Sequence, residues 1–322
     1  MATSVTARVR SRLARSVTLR KARAKVLHTS SALRWIAKDG SFAELPPESA
    51  VRMAFNVMLR RDPDPEGLEH FTSRLSSGEI TPDDLIEEIR GSEEYIYHAS
   101  FRTRLGHSIH VGRCQFIQSF PKASRILDLG GTHKGNIYGA LVAMGYPYSF
   151  DELVIVDLPD ELRHPIYRAD RALREVQAPG GLVRYLYHSM VDLSLFADDS
   201  FDLVYSGQSI EHVVEADADL VLEEVHRVLR PGGSFALDTP NGRVTRLQQP
   251  ELIDPDHKVE YTFEELSAKL TRAGFTIVET KGLNYVGGSL ARGGFRLEDA
   301  ISHPGLFSEV RDCYILTFLC ST

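Results

Sequence analysis

The stretch Ile126-Leu127-Asp128-Leu129-Gly130-Gly131-Thr132-His133-Lys134-Gly135-Asn136 decides the fold. Its apolar start reads as a short buried strand, and Gly130, Gly131 and Gly135 put a tight strand-to-helix turn directly after it. Glycines at such a turn let a ligand approach the backbone, as nucleotide-binding turns require. Asp128 sets the kind of ligand, because a carboxylate beside the turn holds an ammonium group and repels a pyrophosphate.

Working outward, short β-rich runs alternate with helical ones. The predicted strands are Arg125 to Leu129, Glu152 to Val156, Val183 to Tyr187, Phe201 to Tyr205, Gly233 to Asp238, Thr276 to Thr280 and Tyr314 to Leu319. That alternation predicts an α/β fold, a parallel sheet with crossover helices on both faces. The second strand ends in Asp157, where a carboxylate accepts both hydroxyls of a ribose. An acid for an ammonium followed by an acid for a ribose favours S-adenosylmethionine over a dinucleotide. Further on come Tyr187-His-Ser-Met190-Val191-Asp192, whose last three residues would flank an adenine, Asp202 opening the fourth strand, and Leu222 to Gly233 as a helix and turn before the fifth.

In this order and spacing the pieces resemble the class I S-adenosylmethionine-dependent methyltransferases of the type 11 kind, over roughly 120 to 200 residues. The resemblance implies a Rossmann-like sheet of seven strands. It also implies a cofactor held by Asp128, Gly130, Gly131, Thr132, Gly135, Asp157, Leu158, Met190, Val191, Asp192 and Ser206. One departure stands out: the family reads Asp-x-Gly-x-Gly-x-Gly, and this chain has Asp128-Leu-Gly-Gly-Thr-His-Lys-Gly135, a re-spaced loop. The re-spacing bears on the contacts of Thr132 and His133, and near Asp192 a second register is open, in which Met190 takes the usual acidic position.

Ligands of open α/β sheets sit at the carboxyl ends of the strands. Just past the fourth strand the chain reads Gly207-Gln208-Ser209-Ile210-Glu211-His212-Val213. A helix starting there would place Gln208, Glu211 and His212 on one face. A polar loop further on carries Asp254, Asp256 and His257. Glu211, His212 and His257 together offer one carboxylate and two imidazoles, a set suited to Mg, Mn or Zn. The pattern looks like the metal-dependent subgroup that includes small-RNA terminal 2'-O-methyltransferases and quinone-pathway O-methyltransferases, whose Glu-x-x-Glu-His stretch binds metal. Here Gln208 replaces the first Glu. Three roles stay open for the pair: metal ligands, a metal-free catalytic site with His212 as general base, or pocket structure. His107, His110, His164, His188 and His226 read as surface or core residues. The Gly-rich run from Gly282 to Arg296, with Asn284, Tyr285, Arg292 and Arg296, reads either as an acceptor-binding loop or as a flexible connection.

The rest of the chain bounds the partners. At 322 residues it is long enough for two domains, and its Cys114, Cys313 and Cys320 are too few for a disulfide framework, which points to a reducing, cytoplasmic compartment. No apolar run approaches the roughly 20 residues that cross a bilayer. Residues 1–40 carry ten Lys or Arg and one Asp, so they hold +9 and the remainder −16 of a total of −7. The segment reads as a solvated tail, as a basic amphipathic helix lying on the inner membrane face or an acidic partner, or as a transit peptide. Residues 46–100 show helical spacing in Val51, Ala54, Phe55, Met58 and in Leu85, Ile86, Ile89, broken at Asp62-Pro63 and Thr81-Pro82. They resemble a small helical domain of unknown function found in bacterial glycan-related proteins. Residues 119–322 form the expected class I methyltransferase domain. The acidic catalytic part argues against nucleic acid as partner. A small-molecule or glycan acceptor, methylated on a sugar hydroxyl, is the first expectation; a lipid or quinone acceptor and a non-catalytic cofactor-binding scaffold are the alternatives.

Overall fold

Side chains alternate across the sheet, and here both sides are dry. In β5 (Phe201–Gly207) Val204 points to one face and Leu203 and Tyr205 to the other, and all three are fully buried. This computed structural model describes residues 45–59, 61–92, 94–95, 104–164, 167 and 173–322. The basic segment 1–40 lies outside the described residues.

Among the described residues the sheet has nine strands in the order β3-β4-β2-β1-β5-β6-β9-β7-β8. They are β1 (Arg125–Leu129), β2 (Glu152–Asp157), β3 (Glu175–Ala178), β4 (Gly181–Tyr187), β5, β6 (Leu229–Pro240), β7 (Thr276–Tyr285), β8 (Leu306–Phe307) and β9 (Cys313–Ser321). The expectation of seven strands is therefore corrected to nine. The seven sit side by side in the middle, and the additions are the short edge strands β3 and β8, each paired antiparallel to its one neighbour. Strands β4, β2, β1, β5 and β6 run parallel, whereas β9 enters antiparallel between β6 and β7, so the sheet is mixed. From β1 the chain builds outward to β2 on one side and then to β5 on the other. The carboxyl ends of β1, β2 and β5 thus flank the switch point, where such sheets open a crevice.

Helices fill both faces. In α6 (Glu215–Val228) Ala218, Val221, Leu222, Val225 and Val228 recur at helical spacing, with Glu215 and Asp217 in the first turn and His226 and Arg227 in the last, as the helix dipole favours. This stripe joins Leu266 and Leu270 of α8 (Phe263–Arg272) over Leu127, Val154 and Val204 in one core. On the Tyr205 face lies α4 (Arg104–Gln118), followed by Phe120, whose ring meets that of Tyr205 edge-on at 5.2 Å. Ser108–Thr322 form one compact unit, so α4 joins the sheet from Ser108 onward.

The described residues up to His107 belong to a separate unit. It contains α1 (Pro47–Leu59), α2 (Pro65–Ser76) and α3 (Pro82–Gly91). Both breaks in the helical spacing become helix starts: Asp64 caps α2, and Thr81 with Asp84 forms a reciprocal capping box on α3. Val51, Ala54, Phe55 and Met58 are buried, as their spacing requires. No helix of the described residues is long and apolar enough to cross a membrane. All three cysteines are buried and none is in a disulfide.

Candidate functional site

A cleft of about 320 Å³ opens at the carboxyl ends of β1, β2 and β5, a volume at the lower end of small-molecule sites. Its first wall is the turn after β1. Gly130 has φ +77°, a left-handed conformation, and a Cβ there would meet the Ser209 Cβ at 2.9 Å. Gly131 covers Asp128, and a Cβ on it would fall 2.1 Å from Asp128 Oδ2. Only glycine fits either place, which is why the re-spaced loop keeps this pair.

Asp128 lies beneath the turn at 1% exposure. Burial pushes its carboxyl up to about 7, against the pull of the Leu141 backbone N–H, and Oδ2 is left with no hydrogen-bond partner. Asp157, at the end of β2, lines the cleft. Its Oδ2 accepts the Thr132 backbone N–H at 3.2 Å and its Oδ1 the Leu158 N–H at 2.8 Å. Burial raises this carboxyl above its ordinary value, with Arg163 opposing the shift. Leu158 and Met190 also line the cleft, two apolar side chains placed to bracket a flat ring.

The other end is built from the loop after β5 and the loop before α8. The residues Ile210–His212 form a single 3-10 turn, not an α-helix, and Gln208 precedes it at φ +55°. The expected shared face of Gln208, Glu211 and His212 is therefore corrected: Gln208 turns away to donate from Nε2 to Asp238 Oδ1 at 2.8 Å. Asp238 also accepts Tyr205 OH at 2.6 Å and pairs with Arg113 Nε at 2.9 Å, a buried charged network below the cleft floor. His257 takes the place beside Glu211 instead. The backbone N–H groups of Lys258 and Val259 both donate to the Glu211 carbonyl, at 2.8 and 3.3 Å, and this pins the second loop on the first.

Glu211, His212 and His257 hold one ligand atom each within 4.8 Å of one another. Their surroundings decide which atoms are free. His212 Nδ1 meets Asp256 Oδ2 at 3.1 Å and His257 Nδ1 meets Glu260 Oε1 at 2.7 Å. A carboxylate only accepts, so each imidazole carries a proton on Nδ1, and in its neutral form each keeps the Nε2 lone pair. Glu211 is wholly buried, with Oε2 accepting Thr239 OH at 2.9 Å and Oε1 unpartnered. Burial lifts the Glu211 carboxyl to about 7. Burial, with His257 adding to it, takes His212 below its ordinary value. For His257 burial is outweighed by the Glu260 hydrogen bond and the Glu211 charge, so its pKa is raised. Two imidazoles oriented by carboxylates, close to an orphan buried carboxylate oxygen, offer a donor set that could hold a divalent cation.

Of the expected residues, Gly130, Thr132, Asp157, Leu158, Met190 and His212 line the cleft. Asp128 and Ser206 form the layer beneath, Ser206 bonding Ser209 Oγ at 2.7 Å. Gly131, Gly135, Val191 and Asp192 are not in the lining; Gly135 donates to His133 Nδ1 at 3.1 Å, Val191 packs on the core, and Asp192 caps Ser194. His164, expected to be incidental, does line the cleft, as do Arg163 and Tyr167, which carried no motif. Tyr167 donates to Asp254 Oδ2 at 2.6 Å and turns its ring edge to His212 at 5.3 Å. The Gly-rich run contributes nothing to the lining: Tyr285 ends β7, and Asn284 is buried with Nδ2 on Ser108 Oγ and Ala300 O.

Residues 127–237 match the family model described as a methyltransferase domain. A sarcosine/dimethylglycine N-methyltransferase of Aphanothece halophytica is 30% identical over 149 residues, 46% of this chain and 47% of that protein. An uncharacterised methyltransferase of Synechocystis is 34% identical over 101 residues, 30% of this chain and 47% of that protein. The chain spans between a third and a half of the length of the curated relatives it matches. A methyltransferase from Archaeoglobus fulgidus of known structure superposes with a TM-score of 0.45 at 16% identity, over 72% of this chain and all of that one. The stretch that matches this family model, residues 127–237, supplies Gly130, Asp157, Met190 and His212 to the cleft.

Proposed function

We propose that the protein transfers the methyl group of S-adenosylmethionine to an acceptor hydroxyl, first among them that of a sugar or glycan. The observation that carries this reading is the continuity of one cleft from Asp157 to His212. The cofactor, when bound, supplies a methyl on a positively charged sulfur that is already electrophilic. What is left to the protein is alignment and one proton.

Asp157 and the Thr132 backbone hold the ribose, Leu158 and Met190 enclose the adenine, and the glycine turn lets the rest approach β1. His212 stands at the acceptor end as the general base: its lowered pKa keeps it neutral near pH 7, and Asp256 on Nδ1 leaves Nε2 to take the acceptor's proton. A second arrangement uses the same lone pair differently. Glu211 Oε1 with the Nε2 atoms of His212 and His257 would hold Mg, Mn or Zn, which supplies a Lewis acid that lowers a hydroxyl's pKa. The sugar preference is supported by the resemblance of residues 46–100 to a domain of glycan-related proteins. The relative named for sarcosine and dimethylglycine supports a small amine as second acceptor class.

The test is transfer of labelled methyl to panels of glycans, quinols and small amines, with each metal and with a chelator. Label on a glycan hydroxyl, lost in His212→Asn, supports the proposal. Label only on amines or quinols replaces the acceptor. Cofactor binding with no transfer to any panel favours a scaffold.

A further inference from the structure

Four polar groups at the ribose end of the cleft converge on one guanidinium. Arg163 donates from Nε to the Leu158 carbonyl at 2.6 Å, and the same nitrogen lies 3.2 Å from Asp157 Oδ1. Its Nη2 donates to Thr132 Oγ1 at 3.2 Å, and Nη1 lies 3.2 Å from Asp160 Oδ1. The residue is 8% exposed, yet it forms part of the cleft wall. A guanidinium is planar and permanently charged, so one that holds a carboxylate, a carbonyl and a hydroxyl together fixes their relative positions. Here those groups belong to two separate elements, the end of β2 and the turn after β1.

We infer that Arg163 is a positioning residue for the cofactor, tying the terminal carboxylate of β2 to the glycine turn so that Asp157 is ionised and aimed at the ribose before the cofactor arrives. The inference rests on the reading of Asp157 as the ribose acceptor. The groups facing Asp157 make the need plain. Thr132 and Leu158 offer it neutral N–H groups, Asp128 on β1 repels it, and Arg163 is the cation beside it, with Asp160 on the far side of the guanidinium. Burial alone drives this carboxyl toward its protonated form, in which it accepts hydroxyl hydrogen bonds less well. The segment after β2 therefore does more than connect strands. It carries the counter-ion that keeps the ribose acid in its binding form.

The experiment is calorimetric titration of the full chain with S-adenosylhomocysteine and with its 2'-deoxyribose analogue, for wild type, Arg163→Gln and Arg163→Lys. Arg163→Gln should weaken S-adenosylhomocysteine by roughly 10- to 100-fold, the range for one charge-assisted contact. The loss should grow as the pH is lowered, because burial raises the Asp157 carboxyl and the variant lacks the cation that opposes its protonation. It should be smaller for the 2'-deoxy ligand, since Arg163 acts through the ribose hydroxyls. Arg163→Lys, which keeps the charge but not the three-way reach, should recover part of the loss. Equal losses for both ligands mean that Arg163 merely holds the loop, and unchanged affinity means that it does nothing; either result overturns the inference. Should Arg163→Gln fail to fold, the comparison of the two ligands on Arg163→Lys decides it. Wild type that binds neither ligand removes the cofactor reading itself, and this inference with it.

Discussion

Replacing Glu211 by Gln should make the chelator-treated protein more stable at pH 8. The carboxyl is wholly buried and titrates at about 7 in the folded protein, against an ordinary value of 4.5. For an acid shifted upward, the unfolded chain releases its proton first. Stability therefore falls as pH rises from 4.5 to about 7 and is level above that. At about 1.4 kcal/mol per unit, the buried anion costs about 3 kcal/mol above pH 7. Gln keeps the acceptor for Thr239 OH and never ionises. It should raise the midpoint of thermal unfolding by roughly 5–10 °C at about pH 8, with the gain shrinking toward zero as pH falls to the ordinary carboxyl value. Added Mg, Mn or Zn should reverse the order, stabilising wild type and leaving the variant unchanged. Circular dichroism melts across that pH range, with chelator and with each metal, measure both effects. A Gln variant that is less stable than wild type at pH 8 in chelator would refute the reasoning, because it would mean that a protonated His257 holds the Glu211 anion more strongly than burial disfavours it.

Other consequences follow from the same geometry. His212→Asn should abolish methyl transfer while leaving S-adenosylhomocysteine affinity within about twofold, a separation read by pairing label incorporation with calorimetry. Because the His212 pKa is lowered, the base stays deprotonated into mildly acidic solution, so the acid limb of a pH–rate profile in chelator should fall below the ordinary histidine value of 6.5. Gly130→Ala should cost about 1–3 kcal/mol in urea unfolding, since φ is +77° and the new Cβ meets Ser209.

Much of this was legible in the chain because periodicity and turn chemistry are local. The run into Asp128, Gly130 and Gly131 shows both a buried strand and a turn that only glycine can make, and the cores of all seven central strands read the same way. The edge strands escaped notice for a physical reason. Glu175 to Ala178 alternates polar and apolar but is only four residues long, and Leu306–Phe307 has two, too short a run to signal a strand; each is held by its antiparallel pairing to one neighbour. The helix assumed at Gln208 failed because Asp238, 30 residues away, captures that side chain and draws the backbone into a left-handed conformation. Arg163 had no motif at all. Its partners Thr132 and Asp157 come from other elements, and only the closed fold brings them together. The pairing of His212 and His257 was anticipated from residue chemistry, but not the carboxylates Asp256 and Glu260 that orient them.

The cofactor reading is tested most directly by calorimetric titration of S-adenosylhomocysteine into the wild-type chain and into Asp157→Ala. Micromolar binding by wild type, weakened at least roughly 100-fold in the variant through loss of the ribose acceptor, is the expected result. Absence of binding by wild type, or equal binding by both proteins, would contradict it.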